Sequence, residues 1–332
     1  MKENGGELEL DVTTRVKKSN ALIRLVRPFR LSADDLVYPI FVREDGKSYE
    51  IPSIRGQRYY SLSNCSDVCR EVIDLGIPAV MIFGLLKEKD ADGSAALQKN
   101  GFHTEIFAKL KSEIGEDLVL ISNVCLCDFT LSESCVYMDN GKVLNDKTAE
   151  MLGKIAVVHA EAGADVVAPA AMADGQVRHI RSSLDEAGFD DVPIMSYIKT
   201  DSCLFKPFFK TVSISTAPRK GIDSSKFRTD IINQKMFMRK VDLDIREGAD
   251  IIIVKPALTN LDLISLVRER HPNTSIAAYQ VSGEYAMMKA AADKGYLDED
   301  EILMETLNSI RRAGADMILT YDALNAARLL LK

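Results

Sequence analysis

The chain has 332 residues, 46 % of them hydrophobic, and 42 Lys and Arg against 49 Asp and Glu for a net charge of −7. This acidic balance has no dense basic stretch and so no nucleic-acid footprint, and no apolar run approaches the roughly 20 residues that cross a bilayer. The segment from Met1 to Asp11 is polar and acidic, unlike a signal peptide, so a cytoplasmic protein with no membrane partner is expected, its six cysteines serving as thiols or metal ligands rather than disulfides.

Residues 1–30 carry scattered Arg and Lys and precede the first strand-like run. They are read as an N-terminal arm that packs on a neighbouring subunit, with a disordered tail as the alternative. Eight short β-like runs then follow: Val37–Val42, Ala79–Gly84, Leu118–Cys127, Asp165–Ala170, Pro193–Tyr197, Ile251–Pro256, Ser275–Ser282 and Met317–Tyr321. Amphipathic stretches separate most of them, among them Thr148–Ala162, Gln176–Ala187, Met236–Glu247 and Glu299–Ala313. Eight alternations of strand and helix predict a parallel sheet closed into a (β/α)8 TIM barrel spanning 31–332. An open doubly wound sheet would also alternate, but no glycine-rich phosphate loop follows the first strand.

A phrase repeats at helix ends. Glu-Ala-Gly-Ala-Asp before the fourth strand returns as Glu-Gly-Ala-Asp before the sixth and Arg-Ala-Gly-Ala-Asp before the eighth. Each reads as a glycine C-cap turning into a strand. Residues 200–235, between the fifth and sixth strands, are too long for an ordinary loop and read as a lid over the barrel mouth. That stretch holds Phe205, Phe208, Phe209 and several basic residues.

A barrel carries its site at the carboxyl ends of its strands. The sixth strand is Ile251-Ile252-Ile253-Val254-Lys255, an aliphatic run buried on both faces that ends in an amine. In a dry site that ammonium loses hydration, its pKa falls, and the neutral amine can attack a carbonyl carbon. The opposing reading is a lysine that caps a strand and snorkels to water. Lys199 ends the adjacent fifth strand, and a second cation nearby lowers the pKa further. Cys125, Cys127 and Cys135 cluster around the end of the third strand as C-x-C-x7-C. Three thiolates suit a soft ion such as Zn²⁺ with a fourth position open, and three buried packing thiols are the alternative. Cys65 and Cys69, four apart on a helix, read as packing residues, and Cys203 as lining the lid.

The motifs Asn-Val-Cys-Leu-Cys at 123–127, Ile-Val-Lys-Pro-Ala-Leu at 253–258 and Tyr-Gln-Val-Ser-Gly-Glu-Tyr-Ala-Met at 279–287 resemble the porphobilinogen synthase family, also called 5-aminolevulinate dehydratase. So do Arg-Leu-Ser-Ala-Asp-Asp-Leu-Val-Tyr-Pro-Ile-Phe-Val at 30–42 and Arg-Ala-Gly-Ala-Asp at 312–316. The resemblance implies a homo-octameric barrel that condenses two 5-aminolevulinate molecules into porphobilinogen for haem and other tetrapyrroles. It assigns the imine to Lys255, the second active-site amine to Lys199, the first substrate's carboxylate to Ser282 and Tyr321, and zinc to Cys125, Cys127 and Cys135.

The departures cluster in the half that receives the second substrate. The family has Asp where this chain has Asn123, and Ser-Asp where it has Ala170 and Ala171. An arginine partner of the second carboxylate is replaced by Phe209, and a lid glutamine by Arg228. Arg219, Lys220 and Arg228 are therefore all candidates for anion contacts. A glutamate that supports an allosteric Mg²⁺ in part of the family aligns with Lys240, whose charge argues against that ion. Three readings follow: a porphobilinogen synthase with an altered second site, a paralogue using the same Schiff-base chemistry on another amino ketone or carbonyl compound, and a catalytically weak structural or regulatory homologue.

Overall fold

The computed structural model describes residues 13–205 and 224–331. Much of the expected lid, with Phe208, Phe209, Arg219 and Lys220, and the first twelve residues lie outside the described part. The chain divides into two units, one ending at Leu31 and the other beginning at Ser32. The first contains a helix, Asn20–Leu25, whose N-cap Ser19 accepts the Leu22 N–H on its side chain.

The second unit is an eight-stranded parallel barrel. Its strands are β1 Leu36–Arg43, β2 Ala79–Leu85, β3 Val119–Val124, β4 Val166–Pro169, β5 Met195–Lys199, β6 Ile251–Lys255, β7 Ser275–Gln280 and β8 Met317–Thr320. They pair in the order β4-β3-β2-β1-β8-β7-β6-β5. A bridge between Val167 and Ile194, with the Val167 N–H donated to the Pro193 carbonyl, closes the ring between β4 and β5. Helices such as Asn145–Glu161 and Glu299–Ala313 cover the outer face, so strands buried on both sides need continuous aliphatic sequence.

The repeated helix-end phrase has a clear physical role. Gly163, Gly248 and Gly314 all hold positive φ and turn each helix into a strand. The alanine that follows is buried in each case. The aspartate then accepts a backbone N–H from the neighbouring strand: Asp165 from Leu120, Asp250 from Ile194 and Asp316 from Ile276, each at 2.8 Å. These carboxylates fix strand register at the amino-terminal end of the barrel, opposite the site.

The upper interior is filled with aromatic rings. Phe41 stacks on Phe83 at 5.1 Å and on Tyr321 at 6.2 Å, and Tyr279 lies 6.1 Å from Tyr321 and 6.5 Å from Tyr197. These rings come from five different strands or strand ends and meet across the barrel, which keeps water out of its mouth. Three expected strand ends differ by two residues or more: β5 runs past Tyr197 to Lys199, and two others fall short. β3 stops at Val124, and Leu126–Asp128 form a 3-10 turn that brings Cys127 back against Cys125. β7 stops at Gln280, because Ser282 already begins the helix Ser282–Asp293, where the Glu284 carboxylate accepts the Val281 N–H. Among the described residues no helix is long and apolar enough to cross a membrane.

Candidate active site

β6 delivers Lys255 and β5 delivers Lys199 at the same level, for the two are paired in the parallel register. Both are buried. Lys255 Nζ lies 4.0 Å from the Tyr279 ring centroid, 5.2 Å from that of Tyr197 and 5.5 Å from that of Phe205. Burial lowers its pKa from 10.5 to about 7, helped by the positive charges of Lys199 and Arg228. Ring faces attract an ammonium, which opposes that displacement without cancelling it. Lys199 Nζ donates to the Ala170 carbonyl, which ties β5 to the end of β4.

The thiols form the facing wall. Cys125 follows β3 in extended conformation, Cys127 returns on the 3-10 turn, and Cys135 arrives from the following loop after Glu133, whose φ is +50°. Cys125 and Cys127 sulfurs are 3.0 Å apart, and all three lie within 4.8 Å of one another, fully inside the protein. Hydrogen bonding to the other two sulfurs raises Cys127 and lowers Cys135, so the trio shares its protons. Three close thiols in a dry pocket fit a thiophilic divalent ion. Lys89 braces the turn by donating to the Cys127 carbonyl at 3.0 Å and pairing with the buried Glu133.

One cavity brings both lysines, the three cysteines, Asn123, Ala170 and Arg228 together, with Phe83, Tyr197 and Phe205 as apolar walls. Arg228 is buried, packs its guanidinium over Phe205 at 4.9 Å and Phe227 at 5.7 Å, and contacts Asp201 at 3.2 Å. Thr200 and Thr229, on either side of residues 206–223, are bridged beside Lys199, where Thr229 donates N–H and hydroxyl to the Lys199 carbonyl. Ser282 and Tyr321 are buried at the ends of β7 and β8 but are not among the residues lining this cavity; Tyr321 Oη sits 3.5 Å from Tyr279 Oη. Ala171 is fully buried. Cys203 is exposed, while Cys65 and Cys69 pack in a helix.

Several contributors carried little or no sequence signal. Tyr197 is the exception: it ends the fifth strand-like run two residues before Lys199, and the two-residue strand period puts both on one face. Tyr279, which approaches Lys255 most closely, was hidden in a mixed run. Asp128 accepts the Asn123 amide N–H at 2.8 Å, and burial pushes it up to about 6. Glu284, pushed up to about 7 by burial, accepts the N–H groups of Leu258 and Val281 at 2.6 Å each, tying the turn after Lys255 to the helix that carries Ser282. Lys240, where the resemblance expects a carboxylate, is itself buried. Its Nζ meets Asp244 at 2.7 Å and the Ala173 carbonyl at 3.4 Å, and Asp244 in turn accepts from Ser196 on β5.

Fold and site together define a (β/α)8 barrel with two buried lysines at its mouth beside a thiol cluster that could hold a metal. The model of the delta-aminolevulinic acid dehydratase family matches residues 11–329. The chain is 46 % identical over 311 residues to the delta-aminolevulinic acid dehydratase of Methanothermus sociabilis, covering 93 % of this chain and 95 % of that one. It is 42 % identical to that of Synechococcus elongatus, with 95 % and 97 % covered. The crystal structure of the Toxoplasma gondii enzyme in complex with its reaction product porphobilinogen superposes with a TM-score of 0.92 at 35 % identity, covering 98 % of this chain and 94 % of that one. The chain belongs to the delta-aminolevulinic acid dehydratase family.

Proposed function

We propose that this chain condenses two molecules of 5-aminolevulinate to porphobilinogen, a lyase reaction of tetrapyrrole synthesis. The observation that carries the reading is the register pairing of Lys199 with Lys255 in a buried cavity walled by three thiols. The neutral Lys255 amine adds to the ketone of the first substrate, and loss of water leaves the imine. Lys199, held by the Ala170 carbonyl, keeps a second nitrogen beside that carbon for proton movement. Ser282 and Tyr321 take the first carboxylate; Arg228, with Arg219 and Lys220 from the lid at 200–235, serves the second, and Phe209 contributes an apolar contact. Cys125, Cys127 and Cys135 hold Zn²⁺, which when bound supplies a Lewis acid for the second substrate. The buried Lys240 ammonium stands against Mg²⁺ at the family's allosteric position. The working form is a cytoplasmic homo-octamer or smaller homo-oligomer, with residues 1–30 as the arm.

A second reading has its own observation. Among the described residues lining the cavity there is no carboxylate: Asn123 and Ala170 stand at two family positions for polar groups. A site so altered suits a different amino ketone or carbonyl compound as second partner. Incubation with 5-aminolevulinate and zinc, read by a pyrrole colour reaction and by borohydride trapping, separates the readings. Pyrrole formation with trapping supports the first. Trapping alone supports the second. No trapping with any ketone, and unchanged stability on Lys255→Ala, leaves a structural or regulatory homologue.

A further inference from the structure

Asn123 and Asp128 form a buried pair behind the thiol wall. Asn123 lines the cavity; Asp128, on the 3-10 turn, does not. The Asn123 Nδ2 donates to Asp128 Oδ2 at 2.8 Å, and this is the only side-chain hydrogen bond of Asn123 among the described residues. A carboxylate offers acceptors and no donor, so the amide must turn its nitrogen toward Asp128. Its oxygen is then what Asn123 presents to the cavity. The other polar side chains there are the two lysines, Arg228, the thiols and the Tyr197 hydroxyl, so Asn123 Oδ1 is the one amide or carboxylate oxygen among the described lining side chains. Were the amide reversed, the wall would offer another donor to a pocket already rich in donors.

We propose that Asp128 is a positioning residue: it locks the Asn123 amide with Oδ1 toward the cavity, so that the pocket selects a carbonyl compound carrying an amine next to its ketone. The inference deepens the proposed function and rests on that cavity being the substrate pocket. The amine donates to Asn123 Oδ1, and the same keto acid without the amine leaves that oxygen buried and unpaired. An unmet buried acceptor of this kind weakens binding about tenfold or more.

The test compares 5-aminolevulinate with 4-oxopentanoate, the same keto acid lacking the amine. If the wild-type protein makes porphobilinogen, the readout is KM and kcat for 5-aminolevulinate. If it does not, the proposed function fails, and the lock is judged by the dissociation constants of the two keto acids measured by calorimetry. Asp128→Ala and Asn123→Leu are each expected to raise KM about tenfold with a smaller change in kcat, or to bring the two dissociation constants within about twofold. The exchange Asn123→Asp with Asp128→Asn gives the cavity a carboxylate oxygen and the turn an amide donor, and is expected to restore the amine preference. A merely structural role would lower the melting temperature without moving the preference. A folded Asp128→Ala protein with wild-type preference overturns the proposal, as does a folded exchange variant without it. Should Asp128→Ala not fold, Asn123→Leu and the exchange decide by the same criteria.

Discussion

Lys199 and Lys255 are direct partners across the parallel pairing of β5 with β6, so both side chains leave the sheet on one face at one level. Partner Cα atoms on adjacent strands lie about 4.8 Å apart. In a dry barrel mouth the Lys199 charge disfavours the charged form of Lys255. At pH 7 a lysine of pKa about 7 is about half neutral, whereas an ordinary one is only about 0.04 % neutral. Burial, helped by the charges of Lys199 and Arg228, therefore multiplies the attacking form by roughly a thousandfold.

The trapping rate at Lys255 is expected to rise with pH through an inflection near 7. Lys199→Met removes a neighbouring cation and moves that inflection to higher pH. The same displacement is a stability statement. The unfolded chain keeps the Lys255 proton up to about pH 10.4, the folded chain only to about 7, so this group's contribution to stability improves as pH rises across that window. Lys255→Met is thus expected to be more stable than wild type below pH 7, by about 1–4 kcal/mol, with the gain shrinking toward pH 10. Urea titrations at pH 6 and 9 check the sign; an equal gain at both would contradict it.

Metal binding should depend on the thiols at the barrel mouth and not on those in the helix Cys65–Asp74. Cys135→Ser is expected to lose zinc on dialysis, with affinity down about 100-fold or more. Cys69→Ser should keep full stoichiometry, since burial pushes the Cys69 thiol up to about 12 and leaves it inert. Metal content after dialysis against graded chelator reads both.

Lys240→Met strands the Asp244 carboxylate, which is fully buried, with only Ser196 as a side-chain donor among the described residues. The expected loss is about 3–5 kcal/mol at neutral pH, and Lys240→Met with Asp244→Leu should recover most of it. Burial already raises the Asp244 pKa, and losing its cation raises it further. The single variant's deficit is therefore smallest at low pH, where the carboxyl is protonated, and grows as pH rises through the folded value. Melting curves across that range test it.

Gly283→Ala would place a methyl 2.5 Å from the Leu204 carbonyl oxygen and 2.6 Å from its Cα. Backbone cannot rotate aside, so the 3-10 turn Cys203–Phe205 must shift, at a cost of about 1–3 kcal/mol. Phe205 leaves its place against Lys255, so thermal stability and trapping rate should fall together.

The sequence by itself determined the barrel. Aliphatic runs such as Ile251–Val254 admit only strands covered on both faces, and the Gly-Ala-Asp phrase encodes a local turn plus an aspartate that bonds the next strand. It also placed Lys199 and Lys255 at strand ends and the three cysteines around the end of the third strand, because strand period and motif spacing are properties of neighbours along the chain. The tertiary structure decided what lies between those ends. Tyr279 against Lys255, Glu284 tying Leu258 to Val281, Lys240 reaching Asp244 and the Ala173 carbonyl, and Asp128 turning the Asn123 amide are contacts between segments or side-chain orientations. Such contacts follow from barrel closure, and a one-dimensional pattern carries no trace of which donors closure brings to which acceptors.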